Sequence, residues 1–396
     1  MKFSILPALA ALSCLTGTIN ADADPAATAL TALVKKTTEA ILDQLDEQEA
    51  ALKKQGQQAL CTRKNIAYRQ EFRSMAKEDR KAYTDAVLCL QKKQPLTPAS
   101  LAPGSRSRFD DFVATHINQT GFIHYSGTFL GWHRNFVWEY ENALRNECGY
   151  KGYQPYWEWS LDVAAPQDSP IFNGDTYSMG GNGEFIPGHS GLVLVAPANV
   201  NPTIYLEPGF GGGCVQTGPF GNMTVNLGPV GLPNATAGPL GGLGYNPRCL
   251  KRDVGPDPLQ RWNNFTRVYG LLTKNPTIYD FQSDLEGPLG TGDIGPHGGG
   301  HFTISGDPGA DLFTSPGDPA FYLHHGQIDR MWTLWQGIDP ATRQFALSGT
   351  NTMLNTPPSA NTTLDFKIDL GFAAGSPIAM QDVMSTTAGP FCYLYV

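Results

Sequence analysis

Positive charge is scarce in this chain: 28 lysines and arginines stand against 36 aspartates and glutamates, a formal net charge of −8. That balance gives no electrostatic footing for a nucleic acid or an anionic membrane. Long apolar runs are missing after the first residues, so no stretch reads as a membrane span. Paired CxxC cysteines are missing too, which argues against a zinc-thiolate site. No tandem repeat appears, which sets aside solenoid architectures. What remains is a 396-residue chain, long enough for a large core and rich in glycine and proline, 44 and 30 of them.

Residues 1–21, MKFSILPALAALSCLTGTINA, join one lysine, a short apolar run and a small residue before DADP. This reads as a secretory signal removed near Ala21. An extracellular location is therefore expected. Cys14 leaves with the signal, and Cys61, Cys89, Cys148, Cys214, Cys249 and Cys392 remain. Their even number and scattered spacing predict three disulfides, with the pairing left open. Sequons at Asn118, Asn222, Asn234, Asn264 and Asn361 are candidate glycosylation sites on the same route.

Apolar positions at Leu30, Leu33, Val34, Ile41, Leu45 and Leu52 give a helical period over 28–55. A second helical stretch is expected over 61–92. Ser107 and Asp110 make a capping-box-like start for a third helix, and Gly149 stops a fourth that runs over about 128–146. Residues 173–250 are dense in glycine and proline and predict long loops and short strands held by Cys214 and Cys249. Helical signal returns at 257–274, 276–286 and 325–337.

Six of the eight histidines fall into two groups. His116 shares a helical stripe with Phe109, Phe112 and Val113; His133 shares one with Phe136, Val137, Tyr140 and Leu144. His124 is nine residues before His133, about 180° away around a helix, and is expected in the loop between. The second group is His297, His301 and one of His324 or His325, of which His325 faces the same way as Ile328, Trp332 and Trp335. A single inward histidine is ordinarily a satisfied core residue. Six buried imidazoles without partners would cost several kcal/mol, whereas a metal satisfies one nitrogen of each. His189 belongs to neither group and reads as a surface-loop residue.

HGGGH (297–301) has the spacing of a zinc-protease HExxH, but Gly298 stands where that chemistry needs a glutamate base. Two sets of three neutral imidazoles suit copper, which binds nitrogen strongly and changes oxidation state. Two such sites side by side suggest a dicopper centre that takes up O2.

The segments HYSGTFLGWHRNFVWEYENALRNECGYKGYQPYWEWSLD (124–162) and GDPAFYLHHGQIDRMWTLWQ (317–336) resemble the two copper signatures of the tyrosinase and polyphenol oxidase family, above all its short secreted fungal branch. The resemblance covers roughly 61–396. It implies a mainly α-helical fold whose central four-helix bundle holds two copper ions, with Gly/Pro-rich loops and a few short strands. A signal (1–21) and an N-terminal helical extension (22–60) would precede that catalytic domain. By motif position His116, His124 and His133 would bind the first copper and His297, His301 and His325 the second, with His324 behind them.

The implied reaction is oxidation of o-diphenols, and of o-aminophenols, to o-quinones by O2. The partners are then a small phenol and O2, with no nucleic acid or membrane, and the chain is a monomer or homodimer. Leu312 occupies the family's gate position over the first copper; unaided, it reads as a core leucine. Glu286 matches a glutamate that holds a water able to deprotonate monophenols; unaided, it reads as solvated surface. That water's usual second partner is an asparagine directly after His297, and Gly298 replaces it. Weak or absent monophenol hydroxylation is therefore expected. Rival readings are a full tyrosinase, a hemocyanin-like O2 carrier and a zinc-loaded structural protein.

Phe122 stands where some relatives carry a cross-linked cysteine, so no thioether is expected. Asp329, one turn after His325, is a candidate acceptor for a ligand imidazole, with a plain helix-surface aspartate as the alternative. Tyr393 and Tyr395 resemble the tyrosine motif that closes the family's catalytic domain, and Arg69 on an early helix, or Arg73, is the expected partner. No shielding domain follows, so activity without proteolysis is expected. Metal binding explains in principle how HGGGH tolerates its glycines. They would also widen the approach to the second copper; the alternative is a turn held by core packing alone, with the glycines merely tolerated.

Overall fold

The computed structural model describes residues 24–194 and 202–396; the expected signal segment lies outside them. Helices follow in chain order as α1 (Pro25–Lys54), α2 (Lys77–Leu90), α3 (Arg108–Ile123), α4 (Phe129–Cys148), α5 (Asp257–Trp262), α6 (Phe265–Thr273), α7 (Ile278–Glu286), α8 (Gly295–Ile304), the single turn α9 (Gly306–Gly309) and α10 (Ala320–Ile338). The strands form short two-stranded pairs. β1 (Ala67–Arg69) pairs in parallel with β10 (Tyr393–Tyr395). The antiparallel pairs are β2 (Gly183–Phe185) with β5 (Gly212–Val215), β3 (Leu192–Leu194) with β4 (Ile204–Leu206), β6 (Thr224–Val225) with β7 (Arg248–Cys249), and β8 (Lys367–Ile368) with β9 (Ile378–Ala379). Among the described residues no helix is long and apolar enough to cross a membrane.

The bundle α3, α4, α8 and α10 is the centre of the molecule. Ser107 caps α3 by accepting the Asp110 N–H, and left-handed Gly149 ends α4, as their residue types favour. Aromatic rings lock three of the four helices: Phe112 of α3 meets Phe136 and Tyr140 of α4 edge-on, while Tyr322 of α10 stacks on Tyr140 with centroids 3.4 Å apart. Each such pair contributes about 1 kcal/mol beyond its burial. That rigidity fixes the backbone from which the histidines project. Helix α1 packs on α6 and α10, and its Leu30 and Val34 are continuous with the main core.

The helix expected over 61–92 begins at Lys77. Ahead of it lie β1 and a 3-10 turn, Phe72–Ser74, capped by the Glu71 carboxylate. The reason is long-range: β10, over 300 residues away, supplies the hydrogen bonds that helix would have formed locally, and the Cys61–Cys392 disulfide joins the two segments. The 257–274 stretch also breaks, because the Asn264 side chain accepts the Arg267 N–H and starts α6 anew. The other disulfides tie α2 to the end of α4 (Cys89–Cys148) and pin the Gly/Pro-rich middle (Cys214–Cys249).

Candidate metal centre

Six of the seven bundle histidines are buried and His301 is partly exposed, and the structure gathers them as expected. The nitrogens of His116, His124 and His133 form one group, and those of His297, His301, His324 and His325 another, each within 4.8 Å of one another. His116 lies on α3, His133 on α4, His297 and His301 on α8, and His324 and His325 on α10. His124 sits in the extended C-cap of α3 rather than in a longer loop.

Each ring of the first trio has its Nδ1 held by a main-chain carbonyl. The partners are Phe313 O for His116 (2.8 Å), Thr120 O for His124 (3.1 Å) and Phe129 O for His133 (2.8 Å). A carbonyl can only accept, so each Nδ1 carries hydrogen and each Nε2 keeps a lone pair. Nε2 of His116 and of His133 is buried with no hydrogen-bond partner among the described residues. Leaving such an atom unsatisfied costs about 1–3 kcal/mol, which a metal bond removes.

In the second group, His301 Nε2 stands 3.2 Å from both His297 Nε2 and His325 Nε2. A ring nitrogen offers either one hydrogen or one lone pair, so His301 Nε2 can make a well-aligned hydrogen bond with only one of these neighbours, whereas a cation among the three can take a lone pair from each. His324 is held differently, its Nδ1 accepting the Trp159 indole N–H at 3.0 Å. The trios adjoin, with the His133 and His325 rings stacked at 4.5 Å. Phe129 touches both His133 and His297, and Phe321 touches both His116 and His325. Burial drives every one of these imidazoles down, His124 to about 4 and His324 to about 3, so they are neutral at physiological pH. Neutral imidazole is the form that ligates.

HGGGH is helical, and close packing explains its glycines. A methyl at Gly299 would lie 1.9 Å from Asn263 Oδ1, and one at Gly300 would lie 2.2 Å from the His324 ring. These two glycines let α8 press against its neighbours; they do not widen an approach. Gly298 alone of the three is partly exposed, with Ile294 folded against it.

Glu286, at the end of α7, is buried, not solvated. Its Oε1 accepts the Tyr125 N–H at 2.6 Å and its Oε2 accepts Gln282 Nε2 at 3.2 Å, and burial pushes it up to about 8. Leu312 is 36% exposed, so it is no core leucine; it adjoins Phe313, whose carbonyl holds His116. Phe122 is half-exposed, and its carbonyl accepts the Ser126 and Thr128 hydroxyls.

Asp329 does not touch an imidazole. Its Oδ1 accepts from Arg134 Nε (2.5 Å), and its Oδ2 accepts from both Tyr393 and Tyr395 hydroxyls (2.6 Å each) with Arg69 at 3.4 Å. The cations hold it below the usual carboxylate range against the opposing effect of burial. His325 Nδ1, one turn before it on the same helix, has no hydrogen-bond partner among the described residues. Arg69 does meet the tyrosines, its guanidinium 3.6 Å from the Tyr393 ring centroid, but from β1 rather than a helix; Arg73 pairs with Asp162 instead. His189 pairs with Asp253, away from both groups. Trp159 and Phe321 escaped the sequence reading. Their signal was the copper-signature segments themselves, where no periodicity marks a contact to histidine.

Comparison with known proteins decides the family. The model for the common central domain of tyrosinase matches residues 106–338. The chain belongs to the tyrosinase family. It is 42% identical over 336 residues to tyrosinase P of Aspergillus terreus, covering 83% of this chain and 91% of that one. It is 38% identical over 351 residues to the N-acetyl-6-hydroxytryptophan oxidase ivoB of Emericella nidulans, covering 85% and 93%. A glycine-to-asparagine variant of the polyphenol oxidase from Thermothelomyces thermophila is 53% identical and superposes with a TM-score of 0.88 over 93% of this chain and 97% of that one. Family membership with this histidine geometry makes the protein a type-3 copper oxidoreductase.

Proposed function

We propose that the protein is a secreted oxidase of o-diphenols, accepting o-aminophenols as well, with weak monophenol hydroxylation. Two catechols and one O2 give two o-quinones and two waters. The observation that carries this reading is the state of the residues around the coppers: Gly298 follows His297, and Glu286 is already engaged on both oxygens.

The copper pair, when bound, supplies the electron-accepting centre at which O2 is reduced. His116, His124 and His133 hold one ion; His297, His301 and His325 hold the other through the Nε2 atoms that converge. The Phe313, Thr120 and Phe129 carbonyls fix the tautomer of the first trio. Phe129 and Phe321 exclude water between the trios, which keeps the local dielectric low. If Leu312 stands at the family's gate position, as the resemblance implies, it would narrow the entrance less than a phenylalanine. Glu286 has one oxygen taken by the Tyr125 N–H and the other by the Gln282 amide, which leaves it poorly placed to hold a water that would deprotonate a monophenol. A catechol does not need that help, because it reaches the metals with two acidic hydroxyls. The relative named for N-acetyl-6-hydroxytryptophan supports a phenolic substrate class. The three disulfides and residues 1–21 support secretion.

Oxygen uptake on 4-tert-butylcatechol and 4-tert-butylphenol tests the reading. The catechol is expected to be faster by about a hundredfold, the size of a lost general base. Comparable rates would make the protein a full tyrosinase instead.

A further inference from the structure

We propose that Trp159 is a positioning residue that keeps His324 out of the second copper's ligand set, so that this copper has three imidazoles and an open position. The inference rests on the copper reading above. Distance alone does not choose three ligands from four, since the nitrogens of His297, His301, His324 and His325 all lie within 4.8 Å of one another. What separates His324 is the use of its lone pair. A neutral imidazole has one lone-pair nitrogen, and an indole N–H can only donate. The Trp159 contact at 3.0 Å therefore makes Nδ1 the acceptor and places the ring hydrogen on Nε2. In that state the ring has nothing to offer a metal.

The surroundings hold both partners in place. Trp159 is fully buried and opens the 3-10 turn Trp159–Asp162. Ser160 of that turn donates to Asn263 O at 2.8 Å, and Asn263 Nδ2 donates to Pro296 O at 2.9 Å, which ties the turn to the first turn of α8. The His324 ring rests on α8 at Gly300, where even a methyl would not fit. His325, by contrast, stacks on Phe321 and aims Nε2 at His301. Without the indole N–H, His324 can move its hydrogen and present a lone pair as a fourth ligand. Copper accepts four nitrogens readily, and the position needed by substrate would close.

The test uses the copper-loaded full chain. Wild-type protein is expected to hold two coppers, with X-ray absorption counting about three imidazoles per copper; seven imidazoles shared by two coppers would overturn the proposal even if no variant folds. Trp159→Phe is expected to keep both coppers, gain imidazole ligation and lose catechol turnover about tenfold or more. Adding His324→Leu to Trp159→Phe is expected to recover turnover, which a merely structural tryptophan would not allow. Unchanged turnover in Trp159→Phe, or a double variant no more active than the single one, would overturn the proposal. Fewer than two coppers in wild-type protein would instead sink the copper reading itself, and the proposal with it.

Discussion

Alanine substitution along HGGGH sets two opposed effects against each other. Helix propensity alone favours alanine over glycine by about 1 kcal/mol at each interior position. The packing of α8 says otherwise at two of the three. A methyl at Gly300 would lie 2.2 Å from Cε1 and Nδ1 of His324, more than 1 Å inside ordinary contact. The ring cannot retreat, being fully buried and bonded to Trp159. At Gly299 the methyl would lie 1.9 Å from Asn263 Oδ1, and Asn263 is itself committed to Pro296 O. Overpacking of this kind costs about 1–3 kcal/mol or more, so the gain from propensity is outweighed. At Gly298 the neighbours are Ile294 side-chain atoms at 2.9–3.3 Å on a partly exposed face, and Ile294 can shift. Urea unfolding of the metal-free protein is the assay, because bound copper would add stability by mass action and hide the difference. Gly299→Ala and Gly300→Ala are expected to lose about 1–2 kcal/mol net, with Gly298→Ala near neutral. Stabilisation of all three by about 1 kcal/mol would refute the packing account.

Asp329→Asn is expected to cost about 3 kcal/mol, because Arg134 would be left buried without its anion while Arg69 would keep only Glu141; copper stoichiometry in whatever folds should stay at two. Since its pairing with Arg134 and Arg69 lowers the folded Asp329 below its unfolded value, its contribution is full above the unfolded value and disappears as pH falls through the folded one. Acid unfolding of the wild type should therefore be steeper than that of the Asn variant. Glycopeptide mass spectrometry should find glycans among the exposed Asn118, Asn222, Asn234 and Asn361 but not at Asn264. Asn264 is only partly exposed, its amide nitrogen donates to Gln260 O and its oxygen caps α6, so the side chain is held at both ends and offers its nitrogen poorly to sugar transfer.

What the sequence made legible was whatever repeats locally. His116 and His133 each share a 3.6-residue stripe with apolar neighbours, and those stripes became α3 and α4 with both rings turned inward. The choice of His325 over His324 came from family resemblance, and the converging Nε2 atoms now supply a physical reason for it. What periodicity missed was partners far along the chain; the one distant contact expected, Arg69 with Tyr393 and Tyr395, came from the family resemblance. Asp329 was assigned to an imidazole because His325 is one turn away, yet its partners are Arg134, Arg69, Tyr393 and Tyr395, separated from it by 64 to 260 residues. Residues 61–76 carried a plausible helical pattern, but strand pairing with β10 outcompeted it. The spacing of the glycines could not choose between an open substrate side and core packing, because it shows nothing of Asn263 or His324. Helical periodicity reports which face turns inward; it is silent on what that face meets there. For this centre the distinction has a chemical consequence. The same periodicity that delivers His324 and His325 together to the copper site cannot say which one ligates, and that choice is made by a tryptophan 165 residues earlier.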